Sequence, residues 1–234
     1  MVKEGYYFGF PPLVLGILAL AVYRTSVPIA NGIVLIGLAL FVFYFFRNPD
    51  RQIPSEPGVI VSPADGRVVV VKDELYEGRP GNRVSIFLAI WNVHVNRTPA
   101  AGTITKLEYK PGKFQAAWAE TASTGNEQNV FTLASEHGEI IFKQIAGYVA
   151  RRVVSWKKAG DVVQRGELIG LVRFGSRVDV WLPSEVELAV KVGDHVKGGS
   201  SILGHVTENV LARSPALDKP RTGKQKLAGQ EGGA

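Results

Sequence analysis

Two long uncharged stretches at the start of the chain constrain its folding more than any other feature. They run from Gly5 to Tyr23 and from Thr25 to Phe46, with one arginine between them. A helix needs about 20 predominantly apolar residues to cross a bilayer, and both stretches are of that order. The second ends in three aromatic residues before Arg47, a pattern typical of a helix end at a membrane surface. The sequence therefore predicts a membrane-anchoring segment over residues 1–47.

Three prolines and an Asn-Gly pair predict where helices begin, break or turn within these stretches. Pro11-Pro12 predicts a helix break or a helix start inside the first stretch, which makes it the weaker candidate span. Pro28 and Asn31-Gly32 supply turn chemistry between the stretches. We therefore expect a two-helix hairpin that returns to the side from which it entered. A signal peptide cut near Ala30, a single span and a shallow membrane-inserted hairpin are the alternatives.

The charge of the chain agrees with a lipid partner. The net charge is +6, which favours anionic surfaces. The basic residues do not alternate with aromatic ones as on a nucleic-acid-binding face, so we expect a phospholipid membrane and no nucleic acid as partner. Cysteine is absent and the four histidines are scattered, so no metal site is expected. By the positive-inside tendency, the basic residues beside the hairpin place the following domain on the cytoplasmic side of the cell membrane; they are Lys3, Arg47 and Arg51.

From Gly58 onward the pattern changes to short apolar runs separated by turn residues, which predicts strands rather than helices. The clearest runs are Val68–Val71, Val84–Leu88, Gly102–Ile104 and Glu139–Phe142. We predict a mainly β (α+β) fold, in which a compact antiparallel β domain follows the N-terminal hydrophobic helical hairpin. The domain is expected over residues 48–212, and residues 213–234 lack apolar periodicity and are expected to be a disordered tail.

An internal echo adds detail to this fold. Gly160–Gly170 and Gly193–Gly204 each consist of a Gly-Asp turn, a short strand, a glycine turn and a second strand. Such a pair resembles the barrel-sandwich hairpins of biotinyl and lipoyl carriers. Those carriers present a modifiable lysine at a hairpin tip between hydrophobic neighbours, whereas the segment between the two copies in this chain is Phe174-Gly175-Ser176-Arg177 and has no such lysine. The echo therefore favours the fold and not a carrier function.

Three polar islands interrupt the apolar sequence: Ser62–Arg67, Trp91–Arg97 and Arg173–Asp179. In this order, behind a hydrophobic N-terminus, they resemble the phosphatidylserine decarboxylases, and most closely the short, single-core form of that family of pyruvoyl-dependent phospholipid decarboxylases. The resemblance extends from about Asn48 to about Val210.

The resemblance implies an enzyme that processes itself. A zymogen cleaves between Gly175 and Ser176, and Ser176 becomes a covalent pyruvoyl cofactor. This group forms a Schiff base with the amine of phosphatidylserine, and decarboxylation yields phosphatidylethanolamine for phospholipid biosynthesis. The product is a carboxy-lyase heterodimer with a large chain, 1–175, and a small chain, 176–234. Further oligomerisation and the choice between diacyl and ether lipid are open.

The resemblance also assigns site residues. Asp65 supports self-cleavage, and His94 is a catalytic histidine whose pKa suits proton transfer near neutrality. The longer bacterial form has a second histidine where this chain has Arg97, so the cleavage base is either His94, serving both steps, or Asp65 without a relay. Three basic residues are candidates for substrate binding; they are Arg97, Lys113 and Arg151.

Two other functional classes use the same sequence features. A serine hydrolase would use intact Ser176, His94 and Asp65, but the chain has no G-x-S-x-G motif. A membrane-anchored barrel-sandwich adaptor would have no chemistry at all. Cleavage after Gly175 separates these cases, because only the decarboxylase is expected to become two chains.

Overall fold

The computed structural model describes residues 1–23, 25–113, 115–117, 121–147, 152–173 and 176–206. Gly175, Arg151 and the predicted disordered tail lie outside the described residues.

Two N-terminal helices form the predicted hairpin. Helix α1 (Lys3–Val22) and helix α2 (Ser26–Phe45) run antiparallel, and each is long and apolar enough to span a bilayer. Close contact depends on glycine, because a Cβ on Gly16 would lie 2.8 Å from the carbonyl oxygen of Gly32. Small residues of this kind let helix backbones approach each other.

The turn residues of the hairpin differ from those predicted. Helix α1 continues through Pro11-Pro12, and Pro28 lies in the first turn of α2. A proline in the first turn is compatible with a helix because the amide hydrogen it removes has no partner there. Helix α1 therefore ends at Val22 and α2 begins at Ser26, earlier than the turn-forming residues suggested.

After the hairpin, the described part of the chain contains fourteen strands and one short helix, joined by turns and loops. The strands are β1 (Val59–Val61), β2 (Gly66–Tyr76), β3 (Arg79–Leu88), β4 (Val95–Arg97), β5 (Gly102–Lys110), β6 (Gln128–Ser135), β7 (Gly138–Ile145), β8 (Val153–Ser155), β9 (Val162–Val163), β10 (Leu168–Val172), β11 (Ser176–Pro183), β12 (Val186–Leu188), β13 (His195–Val196) and β14 (Ile202–Val206). The helix is α3 (Ala122–Gly125).

The strands form one large and two small antiparallel sheets. The eight-stranded sheet has the order β13-β2-β3-β11-β7-β6-β5-β9 and curls into a half-barrel. The three-stranded sheets have the orders β1-β14-β12 and β4-β10-β8. All four apolar runs chosen from the sequence lie in strands of the large sheet. The predicted mainly β fold with an N-terminal helical hairpin is confirmed.

The two copies of the echo occupy corresponding places. Their first strands, β9 and β13, are the two edges of the large sheet, and their second strands, β10 and β14, are the middle strands of the two small sheets. Each copy therefore joins the large sheet to a small one, and its two strands do not pair with each other as a hairpin. The polar connection between the copies leads into β11, in the interior of the large sheet.

Strand β11 separates two buried environments by the alternation of its side chains. Val178, Val180 and Leu182 join the main apolar core, which includes Ile86, Phe131 and Phe142 from neighbouring strands. Arg177 and Asp179 point to the opposite face, and both are fully buried there. Ser176 lies on the core-facing side, at the first position of the strand.

Candidate active site

Ser176 is held at the start of a fully paired strand. It lies opposite Leu88 of β3, and the next residue, Arg177, pairs with Ile145 of β7. The side chain is fully buried, and its Oγ has no hydrogen-bond partner among the described residues. An unsatisfied buried hydroxyl costs free energy, and a chemical role is one reason for a protein to retain such a group.

His94 lies beside the segment that leads to Ser176. The amide of Val172, at the end of β10, donates a hydrogen bond of 3.2 Å to the His94 carbonyl oxygen. Strand β10 also pairs with β4, where Leu171 faces Val95. The structure thus places His94 beside the end of β10 and Ser176 at the start of β11.

The tautomer of His94 follows from its hydrogen bond. The Nδ1 atom lies 2.9 Å from the Asn92 carbonyl oxygen. A carbonyl can only accept, so Nδ1 carries the proton and donates it. In the neutral ring Nε2 is therefore left as the proton acceptor, as a general base requires.

Burial keeps this ring neutral. The ring of Phe45 covers it with 4.2 Å between centroids, and His94 is 1% exposed. Burial lowers the pKa of His94 to about 4; the positive charge of Arg47 also lowers the pKa, and the hydrogen bond to Asn92 opposes the shift. His94 is consequently an uncharged imidazole at neutral pH.

The helical hairpin forms one wall of this site. Its residues Val2, Val42, Phe45 and Phe46 share an apolar cluster with the domain residues Val93, Val95 and Leu171. Polar contacts continue the interface, because Tyr44 and Arg47 both donate hydrogen bonds to the Trp91 carbonyl oxygen. The segment predicted as an anchor is thus also part of the structure around His94.

The buried state of His94 predicts a pH-dependent stability. The unfolded chain binds a proton below pH 6.5 and the folded chain only below about 4, so the free energy of unfolding falls as the pH is lowered through that window. Each pH unit is worth about 1.4 kcal/mol, which gives a loss of about 3 kcal/mol. We expect urea unfolding of the Ser176→Ala chain in detergent micelles to show this loss.

A His94→Gln variant in the same background removes the titrating group, so its stability should fall less over the same pH range. Phe45→Ala lets water reach the ring, which should raise the folded-state pKa of His94 towards its unfolded value and so make the pH-dependent loss smaller. Equal pH dependence in the chains with and without His94 would contradict the assignment.

Asp65 is committed to contacts other than Ser176 and His94. Its carboxylate accepts hydrogen bonds of 2.8 and 3.0 Å from Arg51, and one of 2.8 Å from the Gly198 amide. It precedes β2, which β3 separates from β11, so the backbones lie about 10 Å apart across the sheet. The structure therefore places His94 beside the strand that precedes Ser176. Asp65 lies two strands away from Ser176 and contacts Arg51 and Gly198.

The predicted substrate-binding residues occupy different surroundings. Arg97 donates hydrogen bonds of 2.9 Å to the Gly166 carbonyl oxygen and 2.8 Å to Asn48 Oδ1, which fastens the segment after the hairpin to the domain. Its burial lowers its pKa, and the nearby charge of Arg51 acts in the same direction. Lys113 is exposed, and its backbone bridges to Asn126. Arg151 lies outside the described residues.

A chain of buried amides near Ser176 was missed by the sequence reasoning. Gln144 donates to Asn96 Oδ1 at 2.9 Å and accepts from Asn129 Nδ2 at 3.1 Å. This pattern leaves Asn96 Nδ2 as a buried donor with no partner among the described residues. Gln144 lies opposite Val178, so it faces the same side of the sheet as Ser176. The available signal was an asparagine at a buried strand position, inside the Trp91–Arg97 island.

A buried ion pair supports β11 on its other face. Arg177 Nε lies 2.5 Å from Asp179 Oδ1, and Arg177 Nη2 donates to Ser85 Oγ at 2.8 Å. Ser123 donates to the second Asp179 oxygen and accepts from Arg83 Nη1 at 3.1 Å. These contacts fix the residues directly after Ser176. Their signal in the sequence was the alternation of charged and apolar residues after Ser176.

A family model and individual relatives that match this chain point to the same protein family. A model of the family described as phosphatidylserine decarboxylase matches residues 38–204. The chain is 46% identical over 210 residues to the phosphatidylserine decarboxylase proenzyme of Symbiobacterium thermophilum, which covers 88% of this chain and 95% of that protein. It is 55% identical over 172 residues to the proenzyme of the same name from Solibacter usitatus, covering 74% of this chain and 82% of that protein.

Proposed function

We propose that this chain, which belongs to the phosphatidylserine decarboxylase family, decarboxylates phosphatidylserine to phosphatidylethanolamine with a pyruvoyl group made from its own Ser176. The observation that carries the proposal is the Ser176 hydroxyl, which is fully buried without a partner among the described residues at the start of a strand held on both sides. Such a hydroxyl is suited to be the precursor of the pyruvoyl group, because the strand pairing fixes its position and no described residue hydrogen-bonds to it.

The cleavage chemistry uses the Ser176 hydroxyl and its own peptide bond. The Oγ atom attacks the carbonyl carbon of Gly175, and the acyl group moves from nitrogen to oxygen. β-Elimination then breaks the Cβ–Oγ bond, which releases Gly175 as a carboxylate and leaves a dehydroalanine at position 176. Water hydrolyses its imine tautomer with loss of ammonia, and the pyruvoyl group is the new N-terminus of the small chain.

His94 is the base that we assign to this cleavage. Its Nε2 is the unprotonated nitrogen, since Nδ1–H is directed at the Asn92 carbonyl oxygen. The ring can therefore take the Ser176 hydroxyl proton, and in the later reaction the same nitrogen can return a proton to the substrate carbon. Asp65, bonded to Arg51 and Gly198, supports cleavage by holding the segment after the hairpin and acts as a positioning residue.

Asn96 is the donor that we assign to the oxyanion formed during cleavage. Its Nδ2 is buried and unpartnered among the described residues, and Gln144 fixes the orientation of its amide. A preoriented donor in a buried site stabilises developing negative charge strongly. The amide chain and the histidine together supply the base and the donor that the cleavage needs.

When present, a pyruvoyl group supplies a ketone that condenses with the substrate amine and accepts the electrons released as carbon dioxide leaves. The chain itself positions that group: Ser176 pairs with Leu88, and the Arg177–Asp179 ion pair holds the next two residues. The same pairing keeps the two chains together after cleavage, because β11 lies between β3 and β7, which both belong to the large chain.

The membrane location is part of the same proposal. Two helices long enough to span a bilayer are compatible with membrane association. Ile90 and Trp91 are exposed beside the hairpin end, where Arg47 and Tyr44 contact the Trp91 carbonyl oxygen. Aromatic and basic residues of this kind favour the membrane surface. We place the anchor over residues 1–47 and the catalytic domain, over residues 48–212, on the cytoplasmic face.

An intact-mass spectrum of the purified wild-type protein tests the proposal. We expect two chains that divide between Gly175 and Ser176, with the small chain lighter by one ammonia than a chain that begins with serine. Its N-terminus should be closed to Edman degradation. A single uncut chain that still decarboxylates phosphatidylserine would overturn the proposal, and an uncut chain that hydrolyses esters would point to a serine hydrolase.

A further inference from the structure

Among the described residues, three arginines near the end of the hairpin have polar partners for their guanidinium groups. Arg47 donates to the carbonyl oxygens of Tyr44 and Trp91, and Arg51 pairs with Asp65. Arg97 donates to Gly166 and Asn48. Arg173 is half-buried, and among the described residues its guanidinium has neither a hydrogen bond nor an ion pair.

The Arg173 guanidinium lies between the hairpin and the site. Its central carbon is 5.0 Å from the ring centroid of Phe8 in α1, and Phe8 in turn stacks on Phe46 at the end of α2. The Arg173 backbone follows Val172, whose amide is bonded to His94, and precedes Ser176 by three residues. The cation therefore contacts the hairpin from the segment that joins the strand beside His94 to Ser176.

Such a cation is suited to an anionic ligand that the described residues do not provide. A buried guanidinium N–H without an acceptor costs free energy, and Nε of Arg173 is such a group. Arginine binds phosphate oxygens in a bidentate manner, and a partly desolvated site strengthens that contact. The aromatic face of Phe8 holds the cation without neutralising it.

We infer that Arg173 binds the phosphodiester group of the lipid headgroup. The inference rests on the proposed function, which places the amine of the substrate at Ser176. In phosphatidylserine the phosphate is joined through one CH2 group to the carbon that carries this amine, so it follows the amine towards the acyl chains and the membrane. Arg173 contacts the hairpin just before Ser176 and its guanidinium has no polar partner among the described residues, whereas Arg97 is engaged by Gly166 and Asn48, and Lys113 is exposed.

Binding to the uncut Ser176→Ala chain tests the inference without using catalysis. The probe is dihexanoyl phosphatidylethanolamine, which keeps the phosphodiester and lacks the serine carboxylate, measured by calorimetry in detergent micelles. Arg173→Gln should weaken its binding roughly ten- to a hundredfold, because charge-assisted hydrogen bonds are lost. The affinity of the Arg173→Lys chain for the probe should lie between those of the parent and the Arg173→Gln chain, since lysine keeps the charge and loses the bidentate geometry.

Arg79→Gln is the matched control, because Arg79 is an exposed arginine at the opposite end of β3 from Leu88. It should bind the probe as tightly as the parent chain. Equal binding by the Arg173→Gln chain and its parent would overturn the inference. Inorganic phosphate that binds as tightly as the lipid would also overturn the assignment to a headgroup.

Steady-state kinetics of the cleavable chain provide a second readout. Arg173→Gln should raise KM for phosphatidylserine and the inhibition constant of phosphatidylethanolamine by the same factor, with self-cleavage complete by mass spectrometry. An increase for the substrate alone would assign Arg173 to the carboxylate and overturn the inference. If the wild-type chain does not cleave, the proposed function is wrong. The binding measurement on the uncut Ser176→Ala chain then still decides whether Arg173 binds the phosphodiester.

Discussion

Replacement of Ser176 by alanine is expected to leave a single uncut chain without detectable decarboxylase activity. The Ser176 hydroxyl is the group that attacks the preceding carbonyl, and without it neither the ester nor the new N-terminus can form. The substitution fits the site, because Ser176 is fully buried and its Oγ has no partner among the described residues. Removal of an unsatisfied buried hydroxyl costs little stability or increases it. Intact mass and lipid product analysis measure the result.

Two further variants separate chemistry from folding. Ser85→Ala removes a buried hydroxyl on the neighbouring strand, one that accepts from Arg177, and should lower stability by about 1.5–3 kcal/mol while the chain still cleaves. Ser176→Cys keeps a nucleophile at position 176 and should cleave slowly. A Ser176→Ala chain that is folded, uncut and still active would show that the reaction does not need the group made from this residue.

Asp179→Ala is expected to destabilise the chain by about 3–5 kcal/mol, because it leaves a buried charge without its partner. Asp179 lies 2.5 Å from Arg177 and accepts from Ser123, and both charged side chains are fully buried. The strand that carries Ser176 would lose its main polar fixation, so we also expect slower self-cleavage. Urea unfolding of the uncut Ser176→Ala chain in micelles measures the first effect, and the cleaved fraction with time measures the second.

The controls test whether charge or packing causes the loss. Glu139→Ala breaks the ion pair with Arg79 on the surface of the same sheet, where solvent screens the charges, and should change stability little. The double replacement Arg177→Met with Asp179→Leu removes both charges and should recover part of the lost stability. A double variant as unstable as Asp179→Ala would instead assign the loss to packing.

Much of the secondary structure could be predicted from short-range patterns. The Val- and Ile-rich runs between turn residues became β2, β3, β5 and β7, because alternation and turn chemistry act within a few residues. The two apolar stretches became a helical hairpin for the same reason. The connection of that hairpin was misplaced, because a proline in the first turn of a helix is as favourable as one in a loop.

The candidate site could be predicted only in part. The resemblance pointed to Ser176 and His94, and the structure places His94 beside the end of β10 and Ser176 at the start of β11. It also pointed to Asp65 for self-cleavage and to Arg97 for substrate binding; these roles stay predictions, and in the structure the two side chains contact Arg51, Gly198, Gly166 and Asn48. No local pattern distinguishes a charged side chain that meets a substrate from one that meets a distant part of the same chain.

Local patterns were enough to predict an apolar hairpin, a series of short strands and three polar segments between them. Three contacts became visible only in the folded chain: Ser176 pairs with Leu88, Phe45 of the hairpin covers His94, and Arg173 faces Phe8. The difference lies in the range of the interactions. Helix and strand periodicity depends on neighbours in the chain, whereas burial, tautomer and charge pairing at the site depend on residues brought together from distant positions by the closure of the sheets.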